Sequence, residues 1–322
     1  MIIRPHPTAF DLLFNCTGSV VPAVMPRILL AAALGAVAAF LRVELEGSQI
    51  DEATRFEFGP FTALGVAISL FLGFRNNASY ERWWEGRKQW GAQLIAVRDF
   101  ARLLAALKVN PQDRRALVRL TVAHTHAMRV QQRAMWADGH QRIRRLSPDE
   151  DPLAERNSFL EPAEQAYLLE KRNPADAILG MASARLGALH KMGSLDSYSV
   201  VAASQLLDVL SGVQGACERI ANTPLPFPYV LLVARTSLFY VALAPFAMAE
   251  QMGWWTPLFN ALLAYTFFGL DELARQLETP FGEEPQCLAL GAVCRTIEIA
   301  AAEALGDAPP LPLKPNANYN LM

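Results

Sequence analysis

Cysteine is scarce in this chain, with four in 322 residues: Cys16, Cys217, Cys287 and Cys294. They form no CxxC pair and no zinc-like spacing with histidine, which excludes a disulfide scaffold and a zinc module. Free thiols in a reducing compartment, and no bound metal, are the expectation. Histidine numbers only five. His124 and His126 stand two apart, so a helix points them to different faces and a shared metal is not expected. The sequence also lacks a Gly-rich phosphate loop, a nucleophile elbow and a metal-ligand helix motif, so no cofactor and no enzyme activity are expected. Net charge is −2, and nucleic acid is not an expected partner. Nor does the amino terminus have the basic start and clean apolar core of a secretory signal; it is expected to remain in the mature protein.

What the chain does have is apolar sequence in two blocks, about 20–74 and 229–270, with the charge gathered between and after them. Ile28–Leu41, Phe58–Phe74, Thr236–Ala249 and Met252–Leu270 are free of charge. Each run approaches the roughly 20 residues that cross a bilayer. Backbone groups in lipid must be satisfied internally, so the spans should be helices. The expectation is an all-α protein with four transmembrane helices and a large helical cytoplasmic region. Its divisions are an N-terminal segment 1–19, spans one and two in 20–74, a body 75–228, spans three and four in 229–270, and C-terminal helices and tail 271–322.

Charge sets the orientation. Residues 42–57 carry Glu44, Glu46, Asp51, Glu52 and Glu57 against Arg42 and Arg55, whereas Arg75, Arg82, Arg87, Lys88 and Arg98 follow the second span. Positive charge stays cytoplasmic, so 42–57 lies outside and both termini lie inside an inner, or plasma, membrane. The turn between spans three and four falls at Glu250 to Gly253. In the body, helical periodicity covers Ala92–Lys108, Arg114–Trp136, Asn157–Lys171, Asp176–Lys191 and Ser199–Ile220. The acidic stretch Pro148–Asp151 reads as a solvated loop. Closely spaced prolines make Leu225–Pro228 extended. A charged helix around Asp271–Glu278 and a last helix at Leu288–Leu305 precede a proline-rich tail.

On α-helical spacing, Val66, Leu70 and Phe74 share one stripe, and Gly65, Ser69 and Gly73 share a neighbouring one. Small residues at that interval let membrane helices approach closely. They pack this helix either against another subunit or against the first span, and the sequence leaves both open.

Three stretches resemble the bestrophin family, especially its bacterial branch: FLGFRNNASYERWWEGR at Phe71–Arg87, NTPLPFPYVLLVARTSLFYVALAPF at Asn222–Phe246, and TPFGEEP at Thr279–Pro285. Their order and spacing cover nearly the whole chain. The resemblance implies a homopentameric channel in membrane lipid that passes monovalent ions, with the second span of each subunit around a central pore. It places the narrow apolar neck at Val66, Leu70 and Phe74, and a second constriction near Val200, to within one or two residues. The family name suggests chloride, while the acidic outer loop would concentrate cations. Eukaryotic members bind calcium on an acidic run after Pro-Phe-Gly. Here only Glu283 and Glu284 follow before Pro285, so a calcium site and switch are not expected. The competing function is a carrier with alternating access, disfavoured because no internal repeat is found. Arg82, Trp83, Trp84 and Arg87 read as interfacial anchors. Arg27 and Arg235 read as charges near cytoplasmic span ends that snorkel or pair, or else attract anions.

Overall fold

The computed structural model describes residues 18–44, 58–107, 109–140, 153–316 and 319–321. The acidic loop beyond Glu44, the Pro148–Asp151 stretch and Cys16 lie outside them. Among the described residues the regular structure is helical: α1 Val21–Glu44, α2 Phe58–Ala106, α3 Pro111–His140, α4 Ala154–Asn157, α5 Pro162–Leu169, α6 Pro174–Lys191, α7 Ser197–Asn222, α8 Phe227–Met252, α9 Thr256–Glu278 and α10 Leu290–Leu305.

Several boundaries differ from the expectation, each for a local reason. The second span and the Ala92–Lys108 helix are one 49-residue helix, α2, because no proline separates them. Asn157–Lys171 is not one helix. Proline at the first position of α5 and a capping box between Glu161 and Glu164 start a new helix at Pro162. Leu225–Pro228 is not wholly extended, since α8 begins at Phe227. Pro228 falls in the first turn, where a missing N–H costs nothing. The charged Asp271–Glu278 segment is the end of α9 rather than a separate helix.

The described chain divides into two compact units. One comprises residues 18–82 and 224–278, the other 83–223 and 279–321; we call them the span unit and the body unit. In the span unit α1 packs on α8 and α9. Its core holds Val24, Ala31, Ile68, Leu72, Val241, Phe267 and Phe268. Asn260 reaches across this core to donate to the Ala31 carbonyl at 2.7 Å. Large apolar residues also cover the outside, among them Leu29, Phe40, Leu238, Phe239 and Leu262. An apolar exterior over an apolar core suits a lipid surround.

Three stretches are long and apolar enough to cross a membrane: Val21–Glu44, Ser197–Asn222 and Phe227–Glu278. The last contains α8, a 3₁₀ turn at Gly253–Trp255 and α9, so it holds the expected third and fourth spans. The opening of α2, the expected second span, is not among them; residues 59–74 form a shorter uncharged stretch before Arg75. In the body unit α3 packs on α6 and α10, and α6 on α7. Its core runs from Trp90, Phe100 and Leu104 to Leu117, Ile178, Leu210 and Ile297. Asn173 caps α6 through the Asp176 N–H, and Asp196 caps α7 through the Ser199 N–H.

Candidate pore-lining site

The opening of α2 has two unlike faces. Ile68, Leu72 and Arg75 are buried in the span unit. On the other side Val66, Leu70 and Phe74 are 67, 56 and 54% exposed. Four residues of helix advance about 6 Å, so the three side chains form a ladder of evenly spaced apolar rungs. Among the large apolar residues of α2, Leu64 and Phe71 are also exposed.

The small-residue stripe does not act as one surface. Gly65 is buried against α8: a Cβ there would lie 2.5 Å from the Tyr240 hydroxyl oxygen. Tyr240 is held in turn by an edge-on contact with Phe267, ring centroids 5.4 Å apart. Within the chain, then, Gly65 faces the third expected span, where the sequence offered the first. Ser69 is exposed and donates its hydroxyl to the Gly65 carbonyl at 2.8 Å. Gly73 has open space where a Cβ would stand.

Polar latches hold α2 just past the ladder. Arg75 pairs with Asp271 of α9, the two side chains being 3 and 18% exposed. Asn76 donates to the Leu72 and Leu270 carbonyls at 3.0 and 3.2 Å. Tyr229 donates to the Phe71 carbonyl at 2.9 Å. Arg82 donates to the Glu278 carbonyl at 3.2 Å, whose carboxylate accepts from the Leu225 N–H at 3.0 Å. Periodicity gives no sign of the contacts that α2 makes with Tyr229, Leu270, Asp271 and Glu278, because those partners lie more than a hundred residues away in sequence.

In the body unit two of the recognised stretches meet. Trp83 donates to the Gln286 carbonyl at 3.0 Å. A Cβ at Gly86 would lie 3.0 Å from the Phe281 ring and 3.3 Å from Pro280. Trp83 thus serves an internal contact, while Trp84 is exposed. Glu283 lies 3.8 Å from Arg133. Among the described residues no three His, Cys, Asp or Glu side chains gather as a metal site would need. At the start of α7, Val200 leans into the core, whereas Tyr198 and Val201 are 90 and 56% exposed.

His124 and His126 enter separate networks. His124 lies between Gln93 at 3.1 Å and Gln214 at 3.0 Å. Burial pushes its pKa down to about 4. Nε2 of His126 is 2.8 Å from Glu298 and Nδ1 is 3.5 Å from Glu155. Burial pulls that imidazole down, but the two carboxylates outweigh it and raise its pKa. His126, with Arg129, holds Glu155 down at about 2. Cys217, Cys287 and Cys294 are free and buried. Burial pushes the Cys287 thiol up to about 11 and that of Cys294 up to about 12, so both stay protonated and unreactive.

The family model described as "Bacterial/Fungal Bestrophin protein" matches residues 1–303. A voltage-dependent anion channel-forming protein of Mesorhizobium japonicum is 39% identical over 96% of this chain and 94% of its own length. The voltage-dependent anion channel-forming protein YneE of Escherichia coli K12 is 33% identical over the full length of both. The crystal structure of a bacterial bestrophin homologue from Klebsiella pneumoniae superposes with a TM-score of 0.80 at 33% identity, over 89% of this chain and 100% of that one. With these relatives and its apolar helices, the molecule is a membrane protein. The chain belongs to the bacterial and fungal bestrophin family.

Proposed function

We propose that this chain is the subunit of a homopentameric channel that passes monovalent ions across the inner membrane. The exposed ladder of Val66, Leu70 and Phe74, on a helix whose other face is buried, carries this reading. Five copies with their ladders inward would enclose an apolar neck. Such a neck offers nothing in place of an ion's water shell, so it conducts when wet and closes when narrowed. It does not choose the sign of the ion. The relatives' names favour anions, and chloride is the anion of this reading.

The spans of this reading are α1, the opening of α2, α8 and α9, in the divisions 20–74 and 229–270; residues 1–19, 75–228 and 271–322 are cytoplasmic. The basic residues after Phe74 support that orientation. Although α7 has the length and hydropathy of a span, its buried stripe packs in the body unit and it carries Asp208, Glu218 and Arg219. That supports a place in the body. Gly73 and Ser69, exposed in the single chain, support close approach of a neighbouring subunit. The second constriction falls within two residues of Val200, and the exposure of Val201 and Tyr198 favours those two side chains.

Recording from purified protein in a bilayer with asymmetric potassium chloride tests the function. Ohmic single-channel steps with a reversal potential near that of chloride are expected. Flux that needs a counter-transported solute, without unitary steps, would identify a carrier instead.

A further inference from the structure

In the span unit, α1, α8 and α9 enclose a cavity of about 290 Å³ near the Arg75 end. Its walls are apolar, with Leu30, Leu34, Leu238 and Phe268 among them, and Arg27 and Arg235 stand at its edge. Three observations make it more than a packing gap. First, both arginines are exposed, and among the described residues neither pairs with a carboxylate. Arg27 lies over the Phe268 ring, 5.6 Å from its centroid. Asp271 also lines the cavity, but its carboxylate is engaged by Arg75. The next acid, Glu272, accepts from Arg275 at 2.6 and 2.9 Å and from Gln276 at 2.8 Å. Arg27 feels the Glu272 carboxylate at longer range, but among the described residues neither arginine has a carboxylate within ion-pair distance.

Second, Ser237 lines the cavity, is 1% exposed, and its hydroxyl has no hydrogen-bond partner. Its neighbour Thr236 satisfies its own hydroxyl on the Leu232 carbonyl at 2.8 Å, so helix geometry does not prevent this. A buried hydroxyl without a partner is costly, which points to an acceptor that enters from outside. Third, the cavity opens on the apolar exterior of the unit, beside exposed Leu238 and Leu30.

We propose that this cavity binds one membrane phospholipid with an anionic head. Arg27 and Arg235 would hold the phosphate, Ser237 would donate to an ester or phosphate oxygen, and an acyl chain would lie along Leu34 and Leu238. Basic pockets between membrane helices recognise anionic heads in this way. The site stands apart from the Val66 ladder and is independent of whether that ladder conducts.

Native mass spectrometry of the intact assembly, stripped of lipid in detergent and titrated with phosphatidylglycerol or phosphatidylcholine, tests it. One phosphatidylglycerol per subunit is expected, with phosphatidylcholine much weaker. The double variant Arg27→Gln, Arg235→Gln should weaken phosphatidylglycerol by about 30-fold, on the order of what two cations gain at an anionic membrane surface. Arg27→Lys with Arg235→Lys should retain most of the binding. Ala242→Trp, which fills the cavity while sparing both arginines, should abolish it. Equal retention of the two lipids by the wild type would overturn the proposal, and that comparison needs no variant to fold. So would unchanged binding in the glutamine variant, or full displacement by soluble glycerol phosphate, which would mean a small-anion site. Efficient disulfide cross-linking between subunits through Leu238→Cys would mean that a second copy covers the cavity, and would also overturn it.

Discussion

Gly65 and Tyr240 meet so closely that a Cβ at position 65 would stand 2.5 Å from the tyrosine hydroxyl and 2.9 Å from the ring carbon that bears it. Tyr240 is 9% exposed and wedged by Phe267, and Phe61 lies 6.5 Å away, so the ring has little room to yield. Gly65→Ala should cost about 1–3 kcal/mol, the usual range for overpacking. A lowered unfolding midpoint in detergent checks this.

Gly73, eight residues along, behaves differently, since nothing lies within 4 Å of a Cβ built there. Gly73→Leu should leave the subunit folded and weaken assembly. Mass measurement in mild detergent should find pentamers in the wild type and smaller species in the variant. Monomers or dimers in the wild type would contradict the proposed assembly.

Asp271→Asn should be among the most damaging single changes in the span unit. It would leave Arg75, 3% exposed, without its counter-ion. Breaking a buried pair from one side costs about 3–5 kcal/mol, whereas replacing both partners by apolar residues is often near neutral. Arg75→Met with Asp271→Leu should therefore recover most of the stability lost by the single variant. A thermal-unfolding series on the three proteins distinguishes these outcomes.

The two neighbouring histidines should pull the pH profile of the body unit in opposite directions. Burial disfavours the charged form of His126, but Glu155 and Glu298 outweigh it and raise the folded pKa above 6.5, against the further repulsion of Arg129. Its stabilisation is complete below the unfolded pKa and is lost as pH rises through the folded one. His124, pushed from 6.5 down to about 4, is destabilising as pH falls between those values, because the unfolded chain binds the proton first. Glu155, held at about 2, contributes above its ordinary 4.5 and loses that contribution as pH falls toward 2. His126→Gln should flatten the alkaline limb of a stability profile, and His124→Gln the limb between 6.5 and 4. A profile that shifts the same way for both variants would contradict the assignment.

Calcium should not act as a strong switch. Glu283 is turned to Arg133 at 3.8 Å, and the acidic run ends at Pro285. Ion flux in micromolar calcium and in chelator should agree within about twofold, since calcium wants six to eight oxygen ligands. A tenfold rise on adding calcium would refute this.

Much of this architecture is legible in the sequence because it rests on local signals. Uncharged runs, the proline and acid spacing around Asn173 to Asp176, and the stripe at Val66, Leu70 and Phe74 can all be read without a partner. What could not be read depends on contacts distant in the chain. Asp271 looks like the start of a separate charged helix until Arg75 is found beside it. Gly65 looks interchangeable with Gly73, yet only one of them faces a tyrosine. Val200 and Val201 differ by one helical step, and periodicity over a short apolar run does not fix which of them turns inward. The division of Asn157–Lys171 was readable, since proline at 162 with acids at 161 and 164 is a start signal; the apolar pattern masked it.

The ladder on α2 carries the account, and a single-channel recording of Val66→Ala, Leu70→Ala, Phe74→Ala tests it most directly. Truncation removes the apolar rungs that would line the axis and leaves the charged ends of the passage intact. A wider, wetter neck should pass a larger unitary current and close less often. The reversal potential in asymmetric salt should stay where the wild type has it. A variant that assembles as a pentamer and conducts as the wild type does would place the pore elsewhere in the molecule. One that conducts more but reverses its preferred ion sign would show that the neck itself selects the ion.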